Sequence, residues 1–134
     1  MIHIRYLAHS SVLISCGNTR LVFDPWLNGP AYNKQWFLWP LPVDKAEDLA
    51  VDAILISHGH EDHLHPATLK VMKKEAAVFF PFQWRAGIKK FLNGMGFSDI
   101  REAVSFKAYW VKDVKITYIS FSLESVVVIE YKGE

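Results

Sequence analysis

The chain has 134 residues, a formal net charge of +1, and 51% hydrophobic residues that include nine Phe, five Tyr and five Trp. That length and composition suffice for one domain with a packed core. The near-neutral charge gives no reason to expect nucleic acid or an anionic membrane as partner, and no apolar run approaches the ~20 residues that span a bilayer. The single cysteine, Cys16, excludes an intrachain disulfide. Met1-Ile2-His3-Ile4-Arg5 lacks the basic-then-apolar layout of a signal peptide, so a cytoplasmic location is the expectation.

Ile2 to Leu7 alternates, with Ile2, Ile4 and Tyr6 on one face, and reads as an edge or half-buried strand. Val12 to Ser15 and Arg20 to Phe23 form a hairpin around Gly17-Asn18, ending at Asp24-Pro25. Residues 28–44 carry Tyr32, Trp36, Phe37 and Trp39 between turn-forming prolines, the composition of an ordered aromatic loop and not of a flexible linker. Asp44 to Ala50 reads as a short helical turn. Asp52 to Ser57 is a buried central strand. Pro66 suits the first position of a helix with Leu69, Met72 and Val71 on its apolar stripe. Ala77 to Phe80 is a strand, and Gln83 to Leu92 a second helix burying Trp84, Ile88, Phe91 and Leu92 and closed by Gly94 and Gly96. Phe106 to Trp110, Val114 to Ser120 and Val126 to Tyr131 are strands, the first two joined at Lys112-Asp113. No segment repeats. The sum is an α/β (α+β layered) domain over residues 1–134 with a mixed sheet and two helices.

The chemistry concentrates in His58-Gly59-His60-Glu61-Asp62-His63, directly after the buried strand. Of the six histidines in the chain, four fall at positions 58, 60, 63 and 65, which chance does not favour. Imidazole and carboxylate suit zinc, and also iron or manganese. His58 and His60, two apart in an extended loop, can point the same way. Asp62 and His63 follow as the chain turns and can face a second position, and Gly59 permits a tight backbone.

This pattern resembles the signature of the metallo-β-lactamase superfamily. His9-Ser10-Ser11 before the hairpin and Asp24-Pro25 after it resemble the branch of ascorbate-6-phosphate lactonase-like hydrolases and N-acyl phosphatidylethanolamine phospholipase D. Asp24-Pro25-Trp26-Leu27, Gly29-Pro30-Ala31 and the aromatics beyond look most like the CMP-sialic acid hydroxylase group. The resemblance implies an αββα sandwich of two βα halves, of which this chain matches the N-terminal half. It implies that His58 and His60 bind one metal, that Asp62 and His63 bind a second, and that Asp62 also orients the attacking water. It further requires a later histidine, a bridging aspartate on a strand, and a final histidine. From Pro66 to Glu134 there is no histidine, and the later aspartates, Asp99 and Asp113, sit in turn-like sequence. The expectation is a domain incomplete at its C-terminal end.

Among the remaining candidates, His9 reads either as a residue near substrate and metal or as a polar turn residue. Asp24 is expected to hydrogen-bond a ligand histidine, His65 to serve as a helix-entry residue, and His3 and Glu61 to face solvent. Cys16 reads as structural. Ser10 and Ser11 lack a nucleophile-elbow pattern. The aromatic loop walls a substrate pocket, covers a core or marks an interaction surface. The leading functional expectation is a metal-dependent hydrolase that cleaves an ester, lactone or phosphoester of a small molecule through metal-activated water, with zinc the first metal to consider. An oxidative role like that of the hydroxylase group needs an iron–sulfur module that one cysteine cannot supply. The alternative of a different class is a non-catalytic half-domain that binds metal weakly, self-associates or completes its fold with a partner chain.

Overall fold

The structure is a computed structural model and describes residues 1–133. Six strands form one mixed sheet in sequence order: β1 (Ile2–Ala8), β2 (Ser11–Cys16), β3 (Thr19–Phe23), β4 (Ala53–Leu55), β5 (Ala77–Pro81) and β6 (Ile100–Ala103). The first two pairings are antiparallel and the last three parallel. Helices α1 (Pro66–Val71) and α2 (Arg85–Gly94) make two of the parallel crossovers, as parallel pairing demands. A second antiparallel sheet of β7 (Ala108–Val111), β8 (Val114–Phe121) and β9 (Glu124–Tyr131) packs on the opposite face. The layers are helices, six-stranded sheet and three-stranded sheet, the arrangement of a metallo-β-lactamase half-domain.

Side-chain alternation divides the core in two. Val22, Ile54, Ile56, Val78 and Phe80 point toward the helices, where Leu69, Met72, Ile88 and Leu92 meet them. Leu21, Leu55, Ala77 and Phe79 point the other way, onto Val114, Ile116 and Tyr118 of β8. The apolar run in β4 follows from burial on both faces. Residues such as Phe79, Phe80 and Tyr118 are fully buried, each contributing roughly 1.5–3 kcal/mol through the apolar surface removed from water. The inner sheet has six strands and the outer has three. Ile4 and Tyr6 of β1, paired across from Ile14 and Val12, are therefore left 72% and 68% exposed. Among the described residues no helix is long and apolar enough to cross a membrane.

Several expectations need correction. Strand β6 was not legible. The second helix opens with a 3-10 turn, Phe82–Trp84, and is broken at Ala86 and Gly87, where Gly87 takes φ +81°. Phe91 is exposed, while Ile88 and Leu92 are buried. Phe106 lies in a turn at φ +63° before β7, not in the strand. The helical turn within 44–50 is a 3-10 turn, Ala46–Asp48. Val71 is exposed, and Gly94 is the last residue of α2.

Asp52, at the entry to β4, accepts the Arg20 backbone N–H at 2.9 Å and pairs with Lys112 at 2.7 Å. Burial raises its carboxyl pKa, but the Lys112 and Arg20 hydrogen bonds outweigh that, and the net shift is downward. A depressed carboxyl stabilises the fold above its unfolded pKa of ~3.9 and loses that contribution as pH falls through the lower folded value. Asp52→Asn is expected to cost about 1 kcal/mol at pH 7. In urea unfolding at several pH values, the gap to the parent protein should narrow once pH drops below 4.

Candidate metal centre

The parallel order of the sheet places the C-terminal ends of β1, β3, β4 and β5 along one edge, and the tip of the β8–β9 hairpin reaches the same edge. Every residue singled out in the sequence as a ligand or neighbour lies there.

Asp24 follows β3 and is 1% exposed. Its Oδ1 accepts the Ser57 backbone N–H at 2.7 Å, and its Oδ2 accepts the Ser57 hydroxyl at 2.6 Å and His63 Nδ1–H at 2.7 Å. It takes φ +41°, a conformation that Asp tolerates better than most residues. Ser11 holds this turn from β2 by donating to the Asp24 carbonyl and accepting the Trp26 N–H, both at 2.8 Å. Since the Ser57 hydroxyl donates to Asp24, its oxygen receives the proton of His58 Nδ1 at 2.8 Å. Both histidines thereby carry their proton on Nδ1 and leave Nε2 as an electron-pair donor.

His63 Nε2 lies 3.3 Å from Asp62 Oδ2, and that oxygen accepts His9 Nε2–H at 2.9 Å. His9, Asp62 and His63 each offer a ligand atom within 4.8 Å of the others. Asp62 is buried, and the Tyr32 hydroxyl donates to its other oxygen. Burial opposes ionisation of Asp62, but the Tyr32 and His9 hydrogen bonds prevail and hold its carboxyl below the usual range. The same carboxylate, after the larger effect of burial, pushes the Tyr32 hydroxyl up to about 12. Burial lowers the His58 pKa, reinforced by the neighbouring His63, which keeps the ring neutral. For His63, burial is outweighed by the Asp24 carboxylate and the net shift is upward.

His58 and His60 form a second grouping with ring centroids 4.7 Å apart. Glu124, at the start of β9, brings its carboxylate to 3.8 Å from His58 Nδ1, the ring nitrogen that also faces Ser57. The donor set of imidazole nitrogen and carboxylate oxygen on this edge fits a divalent transition metal.

Three residues at this edge escaped sequence reasoning. Glu124 lies 61 residues beyond His63 in the sequence, and only the hairpin register brings it close. Tyr32 was legible only as part of an aromatic loop. Glu61 does not simply face solvent, because its carboxylate accepts the Tyr32 N–H at 2.9 Å. Gly59 is required for space and not for a left-handed backbone: it is not among the positive-φ glycines, and a Cβ there would meet the Trp84 ring at 2.5 Å. His65 caps α1, its Nδ1 accepting from Thr68 and its Nε2–H donating to the Pro30 carbonyl. It has no nitrogen left for a metal. His3 lies exposed on β1, and Cys16 is buried between the sheets.

The aromatic loop walls a cavity of about 920 Å³ along β1, bounded by Trp36, Phe37 and Trp39 and reaching His9 at its inner end. The loop is fastened to α1 through the Leu27 and Asn28 N–H groups, which donate to Thr68 Oγ1.

A β-lactamase superfamily domain model matches residues 3–128. The mouse cytidine monophosphate-N-acetylneuraminic acid hydroxylase is 31% identical over 98% of this chain, which covers 25% of that protein. A diiron β-hydroxylase from Streptomyces venezuelae superposes with a TM-score of 0.70 at 20% identity, over 96% of this chain and 27% of its own. A possible metal-dependent hydrolase from Veillonella parvula superposes with a TM-score of 0.72 at 17% identity, over 97% and 60% respectively. The chain thus spans about a quarter of the mouse protein's length.

Asp24→Asn keeps the size and backbone tolerance of the residue but removes a charged acceptor from three donors. It is expected to cost about 1–3 kcal/mol, read by urea unfolding of the metal-free protein. A loss below 0.5 kcal/mol, an order-of-magnitude threshold typical of plain surface positions, would show that the network does not hold the two strand ends together.

Proposed function

Because the chain belongs to the β-lactamase superfamily, we propose that it supplies one side of a metal centre. His58, His60 and Glu124 serve a first position, Asp62 and His63 a second, with His9 and Asp24 orienting the ligands. The observation that carries this reading furthest is the hairpin that brings the Glu124 carboxylate up to the His58/His60 loop, 3.8 Å from His58 Nδ1. Two imidazoles and one carboxylate are the donor set of non-haem iron oxygenases. The reaction favoured on that ground is hydroxylation of a small molecule at an iron centre. The mouse relative is a hydroxylase by name and the Streptomyces protein a diiron β-hydroxylase, which supports it. Iron held by imidazole nitrogen and carboxylate needs no iron–sulfur cluster of the kind that a single cysteine cannot supply.

A bound metal would supply Lewis acidity toward water and, as iron, redox chemistry with dioxygen. The chain's own residues do the rest. Asp24 fixes the His63 proton on Nδ1, and Ser57 does the same for His58. Tyr32 and His9 hold Asp62 ionised and oriented. The cleft beside Trp36 and Trp39 receives the substrate and directs it to His9.

Hydrolysis by metal-activated water, with zinc, is the second reading. Asp62 between His63 and His9 favours it, as does the Veillonella neighbour.

The test is anaerobic loading with ferrous ion, followed by nitric oxide and electron paramagnetic resonance. One equivalent of iron with a high-spin nitrosyl signal is expected, lost in His58→Ala/His60→Ala and at least tenfold weaker in Glu124→Ala, on the order seen when metal-site partners are removed. Iron binding indifferent to Glu124 would overturn the oxygenase reading. Zinc-dependent cleavage of a phosphodiester such as bis(4-nitrophenyl) phosphate, abolished by Asp62→Ala, would establish hydrolysis in its place.

A further inference from the structure

The Trp84 indole touches two separate segments, the histidine loop and the tip of the β8–β9 hairpin. It closes the 3-10 turn that follows β5, so it sits on the same edge as the histidine loop. Its six-membered ring lies over Gly59, where a Cβ would come within 2.5 Å of Cε3 and 2.8 Å of Cζ3. The ring is 6.2 Å from the His58 imidazole and 5.9 Å from that of His60. Its Nε1–H donates to the Leu123 carbonyl at 2.9 Å, in the tip of the β8–β9 hairpin. The adjacent Gln83 amide donates to Ser125 Oγ at 3.4 Å. Leu123 and Ser125 are the two neighbours of Glu124.

The Glu124 side chain is 71% exposed, so packing does not hold its carboxylate near His58. Its place depends on the backbone beneath it. That backbone belongs to a sheet in a different layer from the strand that mounts His58. Trp84 bridges the two layers at the point where the ligand groups meet. Its ring presses on the histidine loop through the one residue that has no side chain, and its N–H holds the hairpin tip.

We infer that Trp84 is a positioning residue that fixes the separation between the His58/His60 loop and the Glu124 hairpin. Its consequence for metal binding rests on the ligand assignment proposed above. The bridge itself does not.

Trp84→Phe keeps a ring over Gly59 and removes only the N–H donor. Cobalt(II) titration, followed by visible absorption, then reads the first metal position. Trp84→Phe is expected to weaken it about tenfold, the scale of losing a group that orients a ligand. Glu124→Gln should weaken it at least as much. The double variant should be no weaker than Glu124→Gln alone, because both changes act through one carboxylate. The position that depends on Asp62 should be unchanged in Trp84→Phe. Affinity equal to the parent protein, or losses that simply add, would overturn the inference. In metal-free protein, the Trp84 indole proton should exchange with solvent far more slowly than that of Trp39, which is 91% exposed. Equal exchange rates would overturn the bridge whether or not metal binds. A protected indole proton in a protein that takes up no cobalt would keep the bridge and refute the ligand assignment instead.

Discussion

The buried carboxylate of Asp24 is the interaction on which the rest of the site depends. A carboxylate left without partners in the interior costs several kcal/mol. Here it is met by a backbone N–H, a hydroxyl and an imidazole N–H. Those donors come from the end of β4 and from the loop after it, so one side chain joins the ends of two neighbouring strands to the histidine loop. It also orders the protons. His58 donates to Ser57, Ser57 donates to Asp24, and His63 donates to Asp24 from the other side. The result is two imidazoles with the same tautomer, each with Nε2 left as a donor to a metal.

The fold makes this economical. Parallel strands bring successive C-terminal ends to one edge, so short loops suffice to gather residues from distant parts of the sequence. The aromatic loop is tied into the same group. The Tyr32 hydroxyl donates a hydrogen bond to Asp62 and its backbone N–H donates to Glu61, while Tyr32, Asn33 and Lys34 all take positive φ. Three consecutive non-glycine residues in that region carry backbone strain of order 1–3 kcal/mol each. The Glu61 and Asp62 contacts supply the compensation at one end of the run. The wall of the cleft and the candidate ligands are consequently a single connected unit.

What was legible in the sequence was local. The alternation of β1, the Gly17-Asn18 turn that joins β2 to β3, the apolar run of β4, and Pro66 opening α1 after its His65 cap all declare themselves within a few residues. The histidine motif does so too, and with it the family. What was not legible depended on contacts between distant segments. β6 has a sequence, Ile100-Arg101-Glu102-Ala103, with little apolar character, and exists because β5 offers it an open parallel edge. Helical periodicity does not reveal the non-helical backbone at Ala86 and Gly87 that interrupts α2. Glu124 reads as an ordinary strand residue until β8 folds back and sets it against His58. The purpose of Gly59 was misread for the same reason, since the Trp84 ring that occupies its side-chain space is 25 positions away.

The proposal to be tested is that His58, His60, Asp62, His63 and Glu124 supply a nitrogen and oxygen donor set to metal. X-ray absorption at the cobalt edge, on protein loaded with one equivalent of cobalt(II), tests it most directly. The expected spectrum has a first shell of nitrogen and oxygen at about 2.0–2.2 Å, with the outer-shell scattering of at least two imidazole rings that disappears in His58→Ala/His60→Ala. A shell of oxygen alone, without imidazole scattering and unchanged in that variant, would contradict it.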